Sequence, residues 1–224
     1  MIELFVDIET IPTAEEALIR EISESIQPPK TMSKAETIAK WEAEDKPRLI
    51  DEAVAKTSLD GTYGRVCCIS YAFGDAPVEG IIDRDEKKVL SQFFKVCTAG
   101  AVDPNTKTPV GAIVIGHNVA SFDLRFLWQR AIINKIQPPK CLPWDGKPWG
   151  DRIADTMYLW NPDKDKRISL HKLCLALGIP SPKESGITGA DIARFWAQRK
   201  YEEILTYAQA DVTATRECYR RMSI

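Results

Sequence analysis

Ile2-Glu3-Leu4-Phe5-Val6-Asp7-Ile8-Glu9 opens the chain and decides how the rest is read. Its β-branched and large apolar residues predict a strand, which Thr10-Ile11-Pro12 ends. Strand side chains alternate between faces, so Asp7 and Glu9, two residues apart, leave the same face. Two carboxylates side by side on an otherwise apolar strand repel each other and are costly to desolvate. Bound divalent cations offset both costs. Solvated edge strands also carry such pairs by chance, so the pair needs support from elsewhere in the chain.

The next strand signals are Arg65-Val66-Cys67-Cys68-Ile69-Ser70-Tyr71-Ala72-Phe73-Gly74 and residues 77–83, with Gly74 and Pro77 marking the turn between them. Between the first strand and the second, residues 13–60 read as polar and helical. Thr13 with Glu16 and Ser33 with Glu36 fit capping boxes, and Pro47 suits the first turn of a further helix. This stretch reads as a helical insertion (residues 11–64 with its ends) lying over the core, within one domain spanning 1–224. A helix at about 85–98 and a buried strand at 111–116 follow. Ser121 is placed to cap a helix running to Ile133, and four prolines and two tryptophans make 134–150 an irregular loop. Helices are expected at about 152–160, 169–177, 189–197 and 199–221. Three strands in series, a helix, one more strand and then helices predict an α/β fold. It is a mixed sheet flanked by helices, in an order that suits the ribonuclease-H-like architecture.

Two further segments place carboxylates where they could join Asp7 and Glu9. In Gly116-His117-Asn118-Val119-Ala120-Ser121-Phe122-Asp123, the last residue falls in the first turn of a helix, directly after a buried strand. There it would serve either as a helix-dipole carboxylate or as a metal ligand at a strand–helix junction. Phe122 reads as core, or as a residue flanking a base. In Tyr207-Ala208-Gln209-Ala210-Asp211, the phenol and the carboxylate lie four apart and share a helix face. Each segment alone is commonplace; the order Asp, Glu, Asp, Asp along strand, junction and last helix is much more specific.

That set resembles the DEDD exonucleases, in the branch with Tyr in the third motif (DEDDy). Phe5-Val6-Asp7-Ile8-Glu9-Thr10 is similar to their first motif. Gly116 through Leu127, with its N-x-x-x-F-D spacing, is similar to the second exonuclease motif of family-B DNA polymerases. The His branch places its base five residues before the final Asp, where this chain has Thr206; the Tyr branch places its residue four before, at Tyr207. The match is to stand-alone 3′–5′ exonucleases related to the family-B polymerase exonuclease domain, over residues 2–10 and 65–222.

The resemblance implies a two-metal phosphodiesterase that releases nucleoside monophosphates from the 3′ end of DNA or RNA. All-oxygen ligands suit two Mg²⁺ or Mn²⁺ ions, about 4 Å apart in such sites. By similarity Asp7 bridges both ions, Glu9 and Asp211 complete the site of the attacking water, Asp123 holds the second ion, and Tyr207 orients the water. Thr10, Asn118 and Phe122 are the residues expected to touch substrate. Asp155, in Asp-Thr-Met-Tyr-Leu, reads as a helix N-cap rather than a fifth ligand. Lys164, Lys166, Arg167 and Lys172, with Arg125, Arg130, Lys135 and Lys140, are candidate phosphate contacts, and Trp144 and Trp149 candidate stacking platforms. His117 reads as ending its strand with a polar contact and His171 as a helix-surface residue.

The totals agree with that reading. A formal net charge of −2 disfavours a protein that coats duplex nucleic acid, but not an enzyme that grips one 3′ end of a single strand. Six cysteines without a C-x-x-C pair and only two histidines disfavour zinc; the cysteines read as free thiols in a reducing cytoplasm. The N-terminal residues run straight into a strand, which leads us to expect no targeting leader, and no apolar run approaches membrane-spanning length. The chain ends 13 residues after Asp211, which leads us to expect no attached polymerase and leaves a separate replication or repair partner open. The alternatives are a catalytically inactive binding module, a proofreading subunit serving such a polymerase, and another ribonuclease-H-like nuclease.

Overall fold

The structure, a computed structural model, describes residues 1–103 and 105–223. Five strands, β1 (Ile2–Ile11), β2 (Arg65–Phe73), β3 (Glu79–Ile82), β4 (Ala112–Gly116) and β5 (Ile153–Asp155), form one mixed sheet in the order β3-β2-β1-β4-β5. β1, β2 and β3 are successive antiparallel neighbours, whereas β4 and β5 run parallel to β1. The α/β class and the mixed sheet of the sequence reading are borne out. The three-residue strand β5 was not foreseen, because Asp155 at its end reads as the start of a helix.

Helices cover both faces. The even side chains of β1, Leu4, Val6 and Ile8, join a core with Phe93 of α3 (Glu86–Gly100) and Leu127 of α4 (Asp123–Ile133). The odd side chains face α8 (Tyr201–Met222): Phe5 packs with Val212 and Tyr219, and Ile11 with Ile204 and Tyr207. Asp7 and Glu9 therefore sit between two apolar contacts on the α8 face. α5 (Thr156–Trp160), α6 (Leu170–Leu177) and α7 (Ile192–Ala197) complete the C-terminal half. Among the described residues, no helix is long and apolar enough to cross a membrane.

The segment after β1 is helical, as expected, but its details differ. α1 (Glu16–Ser25) begins after Glu15 and α2 (Ala35–Lys56) after Lys34, neither with a side-chain cap, so neither expected capping box forms. Thr13 is instead pulled inward: its backbone N–H donates to Thr57 Oγ1 at 2.9 Å. Pro47 starts no helix; α2 runs through it. Proline there removes the hydrogen bond to the carbonyl of Ala43, and Ala43 is exposed, so water can take the vacant place. Ser121 likewise fails to cap α4, whose N-cap is Phe122 without a side-chain bond.

One candidate phosphate contact, Arg130, lies in the interior. Arg130 and Glu86 are each 8% exposed and paired at 2.7 Å, and Glu86 also accepts from the backbone N–H of Val66 at 2.7 Å and from Asn134 Nδ2 at 2.8 Å. Arg130 therefore holds α3 to α4 and is not available to a phosphate. Removing one partner of a buried pair leaves the other charge uncompensated, at a cost of about 3–5 kcal/mol. Arg130→Met is expected to lower stability by that amount in chemical denaturation. A change below about 1 kcal/mol would show that Glu86 is neutralised or solvated in some other way.

Candidate active site

The site forms where β1 passes under α8. Asp7, Glu9 and Asp211 can each present a carboxylate oxygen within 4.8 Å of the others. Asp7 and Glu9 come from one face of β1, and Asp211 lies one helical turn beyond Tyr207 on α8. At Glu9 the β1–β2 register slips: Glu9 faces Cys68 and Thr10 faces Val66, so Cys67 is the extra residue of a bulge. The Cys67 thiol donates to the Glu9 carbonyl at 3.3 Å. Bulges of this kind re-aim strands beside functional sites.

Asp123 stands outside that close triple. β4 pairs with β1 only as far as Phe5, so beyond that point the N–H groups on that edge of β1 lose their strand partner. Asp123 Oδ1 accepts from the Ile8 N–H at 3.0 Å and replaces it. The turn leading there is tightly built. A Cβ on Gly116 would come within 2.6 Å of Val119 Cβ, and Asn118 holds a left-handed φ of +64°. Asp155 fixes this turn by accepting from the N–H groups of Asn118 at 2.9 Å and Ala120 at 3.2 Å. It also caps α5 through Met157 N–H at 3.1 Å. Asp155 is thus a capping residue, and its sequence position alone did not disclose that it also shapes the approach to Asp123.

Burial and mutual repulsion govern the charge state. Burial pushes the Asp7 carboxyl well up, and Asp211, Glu9 and Asp123 push it further. Glu9 is raised by burial and then by Asp211 and Asp123. Burial lifts Asp123 to about 8, against the opposing pull of its own N–H and that of Ile8. Asp211 rises to about 6 through burial, while its contacts with the Tyr207 hydroxyl and the positive charge of Lys183 hold it down. Tyr207 is itself driven up by burial and by the neighbouring acids, so its hydroxyl keeps its proton. Without a cation these acids cannot all ionise together.

A small cleft of about 240 Å³ opens onto Asp7, Tyr207 and Asp211, and its other walls include His117, His171 and Lys183. His117 makes the polar contacts expected of it, to Thr156 Oγ1 and the Ile168 carbonyl at 3.0 Å each, and burial lowers its pKa. His171 does not sit free on a helix surface: its Nδ1 is 2.7 Å from Ser181 Oγ and it lines the cleft. Thr10, Asn118 and Phe122 are not among the described residues lining it. The Thr10 hydroxyl donates to the Ser58 carbonyl at 2.6 Å, and Phe122 packs on Phe126 with ring centroids 5.6 Å apart. Trp144 is also engaged, donating to the Pro139 carbonyl at 2.7 Å, whereas Trp149 is 66% exposed beside Tyr158. Sequence reading passed over Lys183; nothing in Ser-Pro-Lys-Glu-Ser marks it, because its place in the cleft comes from where a turn far from the motifs folds back.

Comparison with known proteins bears on this site. A family model described as a predicted 3′-5′ exonuclease related to the exonuclease domain of PolB matches residues 59–224. That span contains Asp123, Tyr207 and Asp211 and begins after Asp7 and Glu9, which are placed by the structure. No curated protein matches the chain. A family B DNA polymerase from the hyperthermophilic archaeon Pyrobaculum calidifontis is similar in structure over 100% of this chain and 24% of its own, with a TM-score of 0.59 and 16% sequence identity. At that identity the likeness concerns the fold, a mixed sheet flanked by helices of the ribonuclease-H-like exonuclease kind, and this chain spans about a quarter of the polymerase. Since the family model covers well over half of its length, the chain belongs to the family of predicted 3′–5′ exonucleases related to the exonuclease domain of PolB.

Proposed function

We propose that the chain is a divalent-metal-dependent 3′–5′ exonuclease of the Tyr-containing DEDD branch, acting on single-stranded or 3′-ended DNA or RNA. The observation that carries this reading is the approach of Asp7, Glu9 and Asp211 to within 4.8 Å of one another, in a site that raises all three carboxyls. A fold does not bury mutually repelling acids at no cost, and a cation is the simple means of offsetting it. The donors are all carboxylate oxygens, a set that fits Mg²⁺ or Mn²⁺ and not zinc. Asp7, Glu9 and Asp211 would hold one ion, and Asp123 with Asp7 a second. Such ions supply positive charge against that developing on the phosphate during an in-line displacement.

The remaining chemistry falls to Tyr207. Its hydroxyl keeps its proton, so it is fitted to orient the attacking water and not to act as a base. The products would be nucleoside monophosphates. The family membership supports the direction of cleavage, and the Tyr207–Asp211 spacing supports the branch.

Two measurements test this reading. With Mg²⁺ or Mn²⁺, 5′-labelled DNA or RNA oligonucleotides should shorten from the 3′ end, and EDTA or Asp7→Ala should abolish the ladder; intact oligomers with both metals would end the proposal. Tyr207→Phe should slow turnover about 10- to 100-fold while leaving the fold unchanged, less than the loss of a full general base. An unaltered rate removes Tyr207 from the mechanism.

The raised carboxyls also fix a pH dependence. Above the ordinary carboxyl range near pH 4 and up to about pH 8, the value reached by Asp123, the folded metal-free chain holds protons that the unfolded chain has released. Unfolding free energy must then fall as pH rises through that window. Melting in EDTA should therefore drop between about pH 5 and about pH 8, and Mg²⁺ should raise the melting temperature more at the higher pH. Equal stabilisation at both values would mean that the ion does not displace protons from these acids.

A further inference from the structure

We infer that Ser70 is a positioning residue whose hydroxyl donates to the Asp7 carboxylate and sets how that acid meets a divalent cation; the inference rests on the exonuclease reading above. Ser70 stands directly opposite Asp7 in the β1–β2 register, on the sheet face that carries the acids. Cross-strand partners on one face have Cβ atoms about 4.5–5.5 Å apart, which lets a serine hydroxyl reach a carboxylate oxygen. The Ser70 side chain is fully buried, and its Oγ has no hydrogen-bond partner among the described residues. A buried hydroxyl in that condition costs stability, and an alanine would spare the fold that cost.

The other neighbours of Ser70 in the sheet offer nothing as strong. On the side away from Asp7 it faces Gly80 of β3. A Cβ on Gly80 would strike Leu205 Cδ1 of α8 and lie 3.0 Å from Ser70 Oγ, so glycine here lets an apolar side chain close over the hydroxyl. Along β2 the residues on the same face are Ala72 and Cys68. The Cys68 thiol is near enough to feel the hydroxyl, but sulfur is a weak hydrogen-bonding partner. Of these sheet neighbours only Asp7 carries a strong acceptor.

The acids of the site differ in what steadies them. Asp123 accepts from the Ile8 N–H, and Asp211 is held by the Tyr207 hydroxyl. At Asp7, by contrast, burial and three neighbouring acids act with no hydrogen bond among the described residues to oppose them. A carboxylate that ligates a cation keeps lone pairs on its outer side, and a donor there fixes its orientation and raises its affinity. Ser70 addresses Asp7 from β2, whereas Asp211 faces it from α8, so the hydroxyl and the other acids need not compete for the same side of the carboxylate.

The test is a Mn²⁺ titration read from the electron paramagnetic resonance signal of the free ion, comparing the unaltered chain with Ser70→Ala and Ser70→Cys. Melting of the unaltered chain and of Ser70→Ala is followed in EDTA. Ser70→Cys keeps the site filled but supplies a much weaker donor, which separates hydrogen bonding from packing. Both variants should bind Mn²⁺ about 10- to 100-fold more weakly, as expected for the loss of an outer partner of a metal ligand. Ser70→Ala should melt no lower than the unaltered chain in EDTA, because it removes a hydroxyl without a partner. Unchanged Mn²⁺ affinity in either variant, or a lower melting temperature of Ser70→Ala in EDTA, would overturn the assignment while leaving the exonuclease reading in place. Absence of Mn²⁺ binding by the unaltered chain would instead sink that reading, and this inference with it.

Discussion

Repulsion among buried and half-buried carboxylates is the constraint around which this fold is arranged. Asp7, Glu9 and Asp211 would separate if the elements bearing them could move apart, but the seam between β1 and α8 is closed on both sides of the acids. Phe5 meets Tyr219 edge-on at 5.8 Å on one side, and Ile11 packs with Ile204 on the other. Full burial of one such side chain contributes about 1.5–3 kcal/mol, so a few apolar contacts suffice to hold the acids together. The site stores an electrostatic cost that apolar packing keeps from relaxing.

The fourth carboxylate is positioned by topology. In a sheet ordered β3-β2-β1-β4-β5, β4 stops short while β1 continues, and the exposed edge of β1 needs a partner. Asp123 meets that need through Ile8, and so is fixed beside the triple by a backbone bond that any acid-bearing turn of the right shape could make. The shape comes from Gly116, from left-handed Asn118, and from Asp155, which engages three backbone N–H groups. One acid thus serves structure so that its neighbour can be presented to the site.

The sequence disclosed what local rules govern. Period-two apolar patterning identified β1 and the face shared by Asp7 and Glu9, and the four-residue spacing put Tyr207 beside Asp211. Features set by distant contacts were not legible. β5 is too short to show a period, and Pro47 continues a helix because an exposed carbonyl at Ala43 is cheaply solvated. Thr13 looks like a cap but is drawn to Thr57. Arg130 looks like any surface arginine until Glu86, forty-four residues away, is placed beside it. His171 and Lys183 belong to the cleft only because α6 and the turn after it fold back across α8.

The helical segment after β1 shows how a long excursion between β1 and β2 can leave the acids in place. Glu9 precedes it and Asp123 follows it, so a movable segment would threaten their registry. The neck is closed at two hydrogen bonds, Thr10 to Ser58 at 2.6 Å and Thr13 to Thr57 at 2.9 Å. It is also packed against α4, since a Cβ on Gly61 would approach Phe126 Cα at 3.0 Å and one on Gly64 would strike the Thr57 carbonyl at 2.5 Å. With the ends pinned, the cost of closing the loop grows only slowly with its length. α1 and α2 can therefore differ in length or composition without moving Glu9, whereas a side chain added at Gly64 would press on the neck itself and so on the strand that carries both acids.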